Sequence, residues 1–259
     1  MLEKLFAGAL EDSLLREALV STSQLEQEIS VMPAALDPWA FLYSDDSIKV
    51  IAEIKRASPS RGQLAEIPNP SALALDYESG GAGAISVLTE QHGFKGSMKD
   101  LDSVRKAVQI PVLRKDFIST EYQVLESRAH GADMVLLIVA GLEPKRMVQL
   151  FRLIEDLGMA VLVETHNEQE ILFASEVSAK YIGINARDLQ TFETDRDLFS
   201  NLVHLAPASS LKIAESAVRS VSDVEAYANS GADAVLVGEA LVAGDPVSLL
   251  REFSSVRKP

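Results

Sequence analysis

The pentapeptide GADMV at residues 131–135 marks a junction that occurs three times in this chain and decides its fold. GAGAI at residues 81–85 and GADAV at residues 231–235 repeat it, each between a segment of helical periodicity and a short apolar run. Glycine suits the left-handed position just after a helix, so each copy predicts the end of a helix and the start of a strand. Three such junctions indicate repeated, parallel strand–helix units.

Eight short apolar runs extend this pattern from residue 48 onward. Their starts lie roughly 20 to 35 residues apart, which leaves room for a returning helix in each unit. We predict strands at Lys49–Ile54, Ala84–Leu88, Pro111–Leu113, Met134–Val139, Ala160–Val163, Tyr181–Ile184, Leu211–Ala214 and Ala234–Val237. Helical periodicity between them predicts helices at Ser71–Ser79, Met98–Ala107, Thr120–Ala129, Glu143–Leu157, Asn167–Ala174, Arg196–Leu205, Val221–Asn229 and Pro246–Val256.

These units predict an α/β fold, a single (β/α)8 TIM barrel. The length of 259 residues agrees with the roughly 250 that one such barrel needs. An open doubly wound sheet is the alternative. We disfavour it because no glycine-rich dinucleotide motif follows the first strand, and because eight units in about 210 residues close more naturally into a barrel.

The first 45 residues differ from the rest. Their apolar residues recur at helical spacing and predict one or two amphipathic helices that end near Pro33 and the Asp37-Pro38 pair. Such helices need an apolar surface to pack on, so we expect a lid or cap on the main body. The chain is therefore interpreted as one domain, residues 1–259, with an N-terminal helical extension (1–45) and a barrel (46–259).

Composition limits the partners of this protein. The net charge of −14 disfavours nucleic acid and anionic membranes, but it allows a small anionic substrate in a locally positive cleft. No apolar run reaches the roughly 20 residues of a membrane span, and no secretory signal is apparent. The absence of cysteine suits a cytoplasmic protein. The four histidines share no metal-ligand spacing, so we interpret them as solvent or helix-end residues and expect no metal site.

The chemistry of a barrel of this kind lies where its strands end. In IAEIKRASPSRG, residues 51–62, Glu53 and Lys55 point to the same side of a strand, either as a structural ion pair or as part of a working site. The other strand ends carry further polar residues, which we expect to shift each other's pKa values: a carboxyl beside another carboxylate upward, and a lysine beside a second cation downward. These residues are Thr89, Glu90, Lys115, Asp116, Glu164, Asn185, Arg187, Glu215, Ser216, Gly238 and Glu239.

The ends of the last two strands resemble a phosphate cradle. Barrels often bind phosphate with backbone N–H groups of these two loops. Gly238 allows close approach of the backbone, and the Ser216 hydroxyl can donate a hydrogen bond. Lys55 or Arg187 could supply a positive charge.

Seven motifs, in order over roughly residues 45 to 255, resemble the indole-3-glycerol phosphate synthase family. The first and third are highly specific, whereas the last is shared by many phosphate-binding barrels. The motifs are residues 51–62 (IAEIKRASPSRG), 86–89 (SVLT, with Phe94 and Gly96-Ser97 after it), 113–117 (LRKDF), 163–166 (VETH), 183–189 (GINARDL), 214–216 (AES) and 237–241 (VGEAL). The N-terminal helical extension is also similar to that of the family.

The resemblance implies an enzyme of tryptophan biosynthesis without metal or cofactor. Its substrate would be 1-(o-carboxyphenylamino)-1-deoxyribulose 5-phosphate, converted to indole-3-glycerol phosphate by ring closure, decarboxylation and dehydration. It implies Lys115 as the general acid with Glu164 as proton partner, and the Glu53–Lys55 pair for dehydration, although which lysine acts at which step stays open. The remaining residues would bind substrate: Asn185 and Glu215 the anthranilate and hydroxyl groups, Ser58 the carboxylate, Phe117 the aromatic ring, and Arg187, Ser216, Gly238 and the Glu239 amide the phosphate.

One departure from the family concerns the phosphate cradle. Ala217 stands where the family usually has glycine. It keeps the N–H that a phosphate needs, but its Cβ disfavours a positive φ. The side chain of Glu239 would repel a phosphate if it faced inward, so only its amide is expected to help.

Three other functions remain open at this point. A Schiff-base aldolase could use Lys115 or Lys55 as its nucleophile. A sugar-phosphate isomerase is the second alternative, although the related phosphoribosylanthranilate isomerase would be expected to offer a cysteine base. The third is an inactive barrel that only binds a phosphorylated sugar. We expect a monomer and leave a dimer open.

Overall fold

The computed structural model describes residues 1–188, 191 and 193–259. Leu189, the last residue of the GINARDL motif, lies outside them. Eight strands form the barrel: β1 (Lys49–Ile54), β2 (Ala84–Leu88), β3 (Val112–Lys115), β4 (Met134–Ile138), β5 (Ala160–Thr165), β6 (Tyr181–Asn185), β7 (Leu211–Glu215) and β8 (Ala234–Val237). A small antiparallel hairpin, Ala57–Ser58 with Gly62–Gln63, follows β1.

Helices alternate with these strands and precede them. Three lie before the barrel: α1 (Leu2–Glu17), α2 (Thr22–Ser30) and α3 (Trp39–Leu42). The others are α4 (Pro70–Ser79), α5 (Met98–Ala107), α6 (Glu121–Ala129), α7 (Pro144–Asp156), α8 (Glu168–Glu176), α9 (Leu198–Leu202), α10 (Val221–Asn229), α11 (Glu239–Ala243) and α12 (Pro246–Ser254), with 3₁₀ turns at Val139–Gly141 and Val203–Leu205. Among the described residues no helix has the length and hydropathy of a membrane span.

The eight strands are parallel and close on themselves. Their order around the barrel is β1-β8-β7-β6-β5-β4-β3-β2. Closure occurs at β1, which pairs with β8 through Lys49↔Ala234 and with β2 through Ile51↔Ala84. The prediction of a TIM barrel is confirmed, and the open doubly wound sheet is wrong because the first and last strands are hydrogen-bonded neighbours.

The repeated junction behaves as predicted. Gly81, Gly131 and Gly231 have φ angles of +99°, +81° and +95°, a region that glycine reaches without steric cost. Each glycine follows a helix, and two residues separate it from the next strand. The turn reverses the chain direction, so that the new strand runs parallel to the preceding one.

Three strands have the predicted bounds, and four others run further into the polar residues at their ends. β3, β5, β6 and β7 include Lys115, Glu164, Asn185 and Glu215, whereas the predicted strands ended at Leu113, Val163, Ile184 and Ala214. Charged residues are poor strand signals, but ladder pairing continues through them, as in Asn185↔Glu215. β4 is shorter than predicted because Val139 begins a 3₁₀ turn.

Alternate residues of each strand build two apolar layers. One set, including Ile51, Leu113 and Leu162, fills the inside of the barrel, and the other packs beneath the surrounding helices. The polar ends of β3, β5, β6 and β7 continue the inward set, so they face the same space at one end of the barrel.

The N-terminal extension packs on the barrel at both ends, as a cap was predicted to do. Phe6 of α1 lies edge-on to Phe117 just beyond β3, with ring centroids 5.4 Å apart. Trp39 of α3 lies 6.2 Å from the ring of Tyr181, which begins β6 at the opposite end. α2 packs on α6. The mouth that holds the strand ends is therefore roofed by α1.

Candidate active site

One cavity lies at the carboxyl end of the strands, with a volume of about 1200 Å³ counted out to open solvent. All thirteen residues that the sequence analysis selected for catalysis or substrate binding line it: Glu53, Lys55, Ser58, Lys115, Phe117, Glu164, Asn185, Arg187, Glu215, Ser216, Ala217, Gly238 and Glu239. Its apolar wall contains Leu2, Leu5, Leu88, Phe94, Leu136 and Ile138. Two of these, Leu2 and Leu5, belong to the roof and were not selected from the sequence.

Lys115 lies at the centre of a charged cluster with Glu164 and Glu215, which we call the charged floor of the cavity. Its Nζ donates to Glu215 Oε2 at 2.8 Å and to Glu164 Oε2 at 3.2 Å. Burial would lower the pKa of Lys115, but the carboxylates of Glu215, Glu164 and Glu53 outweigh burial and raise it. The expectation that a lysine here titrates lower is therefore wrong for Lys115, because its close neighbours are anions. At neutral pH it is an ammonium ion with a proton to give.

The two carboxyl groups that bind Lys115 differ. Burial favours the neutral form of both. In Glu164 that effect is outweighed by Lys115 and His166, so the pKa lies below its usual range. In Glu215, burial raises the pKa most. Lys115 lowers the pKa, the negative charge of Glu164 raises it further, and the net result is a pKa of about 7. The predicted upward shift thus applies to Glu215 and not to Glu164. Two carboxyl groups with separated pKa values are typical of acid–base sites.

Glu53 and Lys55 form the ion pair that their spacing predicted. Lys55 Nζ lies 2.6 Å from Glu53 Oε1, and the Glu53 side chain is only 2% exposed. Gly238 makes room for this pair, since a Cβ on it would lie 2.5 Å from Glu53 Oε1. The sequence analysis proposed Gly238 only for close approach to phosphate.

Two further residues shape the site but were not selected from the sequence. Gly183 lies beneath Glu215, where a Cβ would come within 2.0 Å of Glu215 Oε1. Its signal was a glycine in mid-strand on the inward-facing parity. His166 precedes α8, as a helix-end residue, but it is mostly enclosed between Glu164 and Glu170. Residue type and spacing gave no sign of that enclosure.

Polar contacts tie the loops around the other side of the cavity. Ser216 Oγ donates to Asn185 Oδ1 at 2.8 Å, so this hydroxyl is engaged within the protein. Arg187 donates to Ser60 Oγ at 2.9 Å. The carboxylate of Glu239 accepts a contact of 2.8 Å from Arg61, which draws its charge toward the first loop. The loops after β1, β6 and β8 are thereby joined.

The backbone of Ser216 and Ala217 is left-handed. Their φ angles are +70° and +63°, a conformation that costs an L-residue roughly 1–2 kcal/mol. Ala217 therefore adopts the positive φ that its Cβ was expected to oppose. The loop after β7 keeps its shape without glycine.

Other polar strand-end residues support the site from behind. Asp116 lines the cavity and accepts a hydrogen bond of 2.5 Å from Thr89. Glu90 accepts hydrogen bonds from the backbone N–H groups of Gly93 and Phe94, at 2.7 and 2.8 Å, which fixes the loop after β2. In the described part of the chain we observe no group of three or more His, Asp or Glu side chains placed to hold a metal ion.

The chain is similar to known proteins in both sequence and structure. The family model of indole-3-glycerol phosphate synthase matches residues 2–253. The chain is 54% identical to indole-3-glycerol phosphate synthase of Leifsonia xyli subsp. xyli over 99% of its own length and 98% of that protein. It is 53% identical to the protein of that name from Parafrankia sp., over 95% and 91%. 3-Hexulose-6-phosphate synthase of Salmonella typhimurium shares the fold alone, with a TM-score of 0.61 and 16% identity over 81% of this chain and 98% of that one.

Proposed function

The chain belongs to the indole-3-glycerol phosphate synthase family, a family of carboxy-lyases in tryptophan biosynthesis, and we propose that the cavity at the barrel mouth performs the reaction through the residues described above. The substrate is 1-(o-carboxyphenylamino)-1-deoxyribulose 5-phosphate, and the products are indole-3-glycerol phosphate, CO₂ and water. The observation that carries the assignment of roles is the position of Lys115 between Glu164 and Glu215 in that cavity.

Ring closure requires a proton donor at the ketone of the ribulose chain. As the ring carbon that bears the carboxylate attacks the carbonyl carbon, the carbonyl oxygen gains negative charge and takes a proton. Lys115 is assigned this step because it is cationic and only 15% exposed. A fixed positive charge in a poorly hydrated site stabilises a developing oxyanion strongly. Glu164 holds the lysine in place and is assigned as its proton partner.

Decarboxylation follows because ring closure leaves an iminium group that accepts the electrons of the breaking C–C bond. The aromatic ring must lie in an apolar slot with its carboxylate turned out of plane. Phe94 and Phe117, with centroids 6.1 Å apart, together with Leu136 and Ile138, offer such a slot. Ser58, on the first loop, is assigned to the carboxylate.

Dehydration needs an acid for the departing hydroxyl and a base for the adjacent proton. The Glu53–Lys55 pair is assigned to this step, with Glu53 as the base. Asn185 and Glu215 are assigned to the hydroxyl and anilino groups. Glu215 Oε1 is buried and has no hydrogen-bond partner among the described residues, so a substrate donor would satisfy it.

The phosphate is assigned to the loops after β6, β7 and β8. Arg187 supplies a positive charge, and the backbone N–H groups of Ser216, Ala217, Gly238 and Glu239 are within the same wall of the cavity. We further propose a monomeric, cytoplasmic enzyme, in keeping with the acidic charge and the lack of cysteine.

Replacing Lys115 by alanine tests these roles. The purified protein, assayed with EDTA and no added nucleotide, should form a product with indole fluorescence. Lys115→Ala should lower kcat by about 10²–10⁴-fold, the usual contribution of one acid–base group. A variant with near-normal kcat and an intact circular dichroism spectrum would contradict the role of Lys115. Covalent trapping of substrate on a lysine by borohydride would instead favour the Schiff-base aldolase.

A further inference from the structure

His166 lies directly behind the charged floor, in contact with Glu164. Its Nε2 is 3.3 Å from Glu164 Oε1, and its Nδ1 is 3.2 Å from Glu170 Oε2. The side chain is 12% exposed and does not line the cavity, so it reaches the reaction only through Glu164. The Nε2 contact is not aligned as a hydrogen bond. The contact is an ion pair, through which His166 acts on Glu164.

A continuous chain of charges runs through this region. It passes from Glu170 to His166, Glu164, Lys115 and Glu215, each in contact with the next. The carboxylates that face the ring are Glu164 from β5 and Glu170 from α8, and they outweigh its burial and raise the pKa of His166 to about 10. The ring is therefore an imidazolium throughout the neutral range.

Charge balance then decides where the proton of the two active-site carboxyls resides. Within this chain of contacts Lys115 and His166 supply two positive charges, and Glu164, Glu170 and Glu215 could supply three negative ones. The neighbouring Glu53–Lys55 pair, whose carboxylate also acts on Lys115, adds one charge of each sign and leaves this balance unchanged. A buried excess charge is costly, so the balanced state carries one proton on a carboxyl group. Glu164 touches both cations, whereas Glu215 touches only Lys115.

We propose that His166 is a positioning residue, whose charge fixes Glu164 as a carboxylate against Lys115 and makes Glu215 the carboxyl group that holds the exchangeable proton. This inference rests on the proposed roles of Lys115 and Glu164. It adds a division of labour between the two carboxyl groups: Glu164 orients the lysine, and Glu215 presents a proton to the cavity. A residue outside the cavity thereby sets the pH range of the reaction.

The pH dependence of His166→Gln tests the proposal. Glutamine keeps a polar side chain of similar length and removes the charge. Without the cation the pKa of Glu164 rises, so it becomes protonated at higher pH and the acid limb of the kcat profile moves upward. The loss of one opposite charge at this distance corresponds to roughly 1–3 pH units, and each unit lowers kcat about tenfold below the limb. KM should change little because His166 does not line the cavity.

His130→Gln is the matched control. His130 also pairs with a carboxylate, Asp102 at 2.7 Å, but it lies on the helical shell away from the cavity. Its variant should keep the wild-type profile. An unshifted acid limb in His166→Gln, or an equal loss of kcat at every pH, would overturn the proposal even if Lys115→Ala abolishes turnover. If Lys115→Ala keeps near-normal turnover, the proposed role of Lys115 fails instead.

A measurement on the unmodified protein gives an independent test. The ¹⁵N NMR signals of the His166 ring should report an imidazolium at pH 8, and the ring should lose its proton only near pH 10. A neutral ring at pH 8 would refute the inference without any variant.

Discussion

Gly183 provides the sharpest test of how the floor of the cavity works. It lies in the middle of β6, under the carboxylate of Glu215. A Cβ at this position would stand 2.0 Å from Glu215 Oε1 and 3.1 Å from its Cδ. The backbone of a strand accepts alanine readily, so Gly183→Ala should disturb the carboxylate and leave the strand intact.

The displacement can be worked out from these distances. Real Cβ atoms keep at least 3.0 Å from such neighbours, so the oxygen must move by about 1 Å or more. The Lys115–Glu215 hydrogen bond, now 2.8 Å, cannot survive such a shift unchanged. Misplacement of a reacting group by 1 Å can cost about 10²-fold in rate, or about 2.7 kcal/mol in the barrier. Overpacking of this kind costs roughly 1–3 kcal/mol in stability, which a folded domain tolerates.

The assay is the kcat for formation of indole-3-glycerol phosphate, together with a denaturant unfolding curve. Gly244→Ala is the control, because it sits at the end of α11 and its nearest neighbour is the flexible tip of Leu249 at 3.1 Å. We expect a loss of about 10²-fold in Gly183→Ala and near-normal turnover in the control. A Gly183→Ala enzyme within threefold of wild type would show that the position of Glu215 does not limit the reaction.

Three other variants follow from the same geometry. In the folded protein the pKa of Glu215 is about 7, above the ordinary 4.5 of the unfolded chain. Binding of this proton therefore stabilises the fold at low pH, and the stabilisation is lost as the pH rises from about 4.5 through 7. Glu215→Gln should therefore flatten the fall in unfolding free energy over this range, and an unchanged slope in urea titrations would contradict the shift. Ala217→Gly should change Tm little, since relief of left-handed strain is offset by a more flexible unfolded chain. Ala217→Val should raise KM, because a β-branched side chain opposes the positive φ of residue 217. An unaltered KM would show that the backbone conformation at residue 217 does not contribute to phosphate binding.

The fold could be read from the sequence because its signals are local and repeated. Each junction glycine and each apolar run depends on only a few neighbouring residues. Eight apolar runs, separated by helical segments, are enough to determine the topology. The bounds of β5 and β7 were missed for the opposite reason. Glu164 and Glu215 are unfavourable in strands as isolated residues, and their burial is compensated by Lys115 and, for Glu164, also by His166.

The membership of the site was also predictable, but its electrostatics were not. Strand-end position selects most of the residues that line the cavity. Ser58 and Phe117 were found through the family resemblance, and Thr89 and Glu90 follow a strand but lie outside the lining. The direction of each pKa shift depends on distances between side chains that are 49 and 100 residues apart in sequence. Lys115 was expected beside another cation and is surrounded by anions. His166 gave no sequence signal because its significance lies in which two carboxylates enclose it.

The N-terminal extension and β3, the strand that carries Lys115, share one ion network. Arg16 of α1 binds Glu126 on α6, with a second contact of 3.0 Å. Glu126 also accepts a hydrogen bond of 2.9 Å from Arg114, a fully buried residue that pairs with Asp116 at 3.0 Å. Arg114 and Asp116 flank Lys115 in the chain. A buried arginine cannot lose its partners cheaply, so the helix that roofs the cavity and the backbone that presents the lysine are held by the same charges. The extension therefore supports the floor of the cavity as well as covering it.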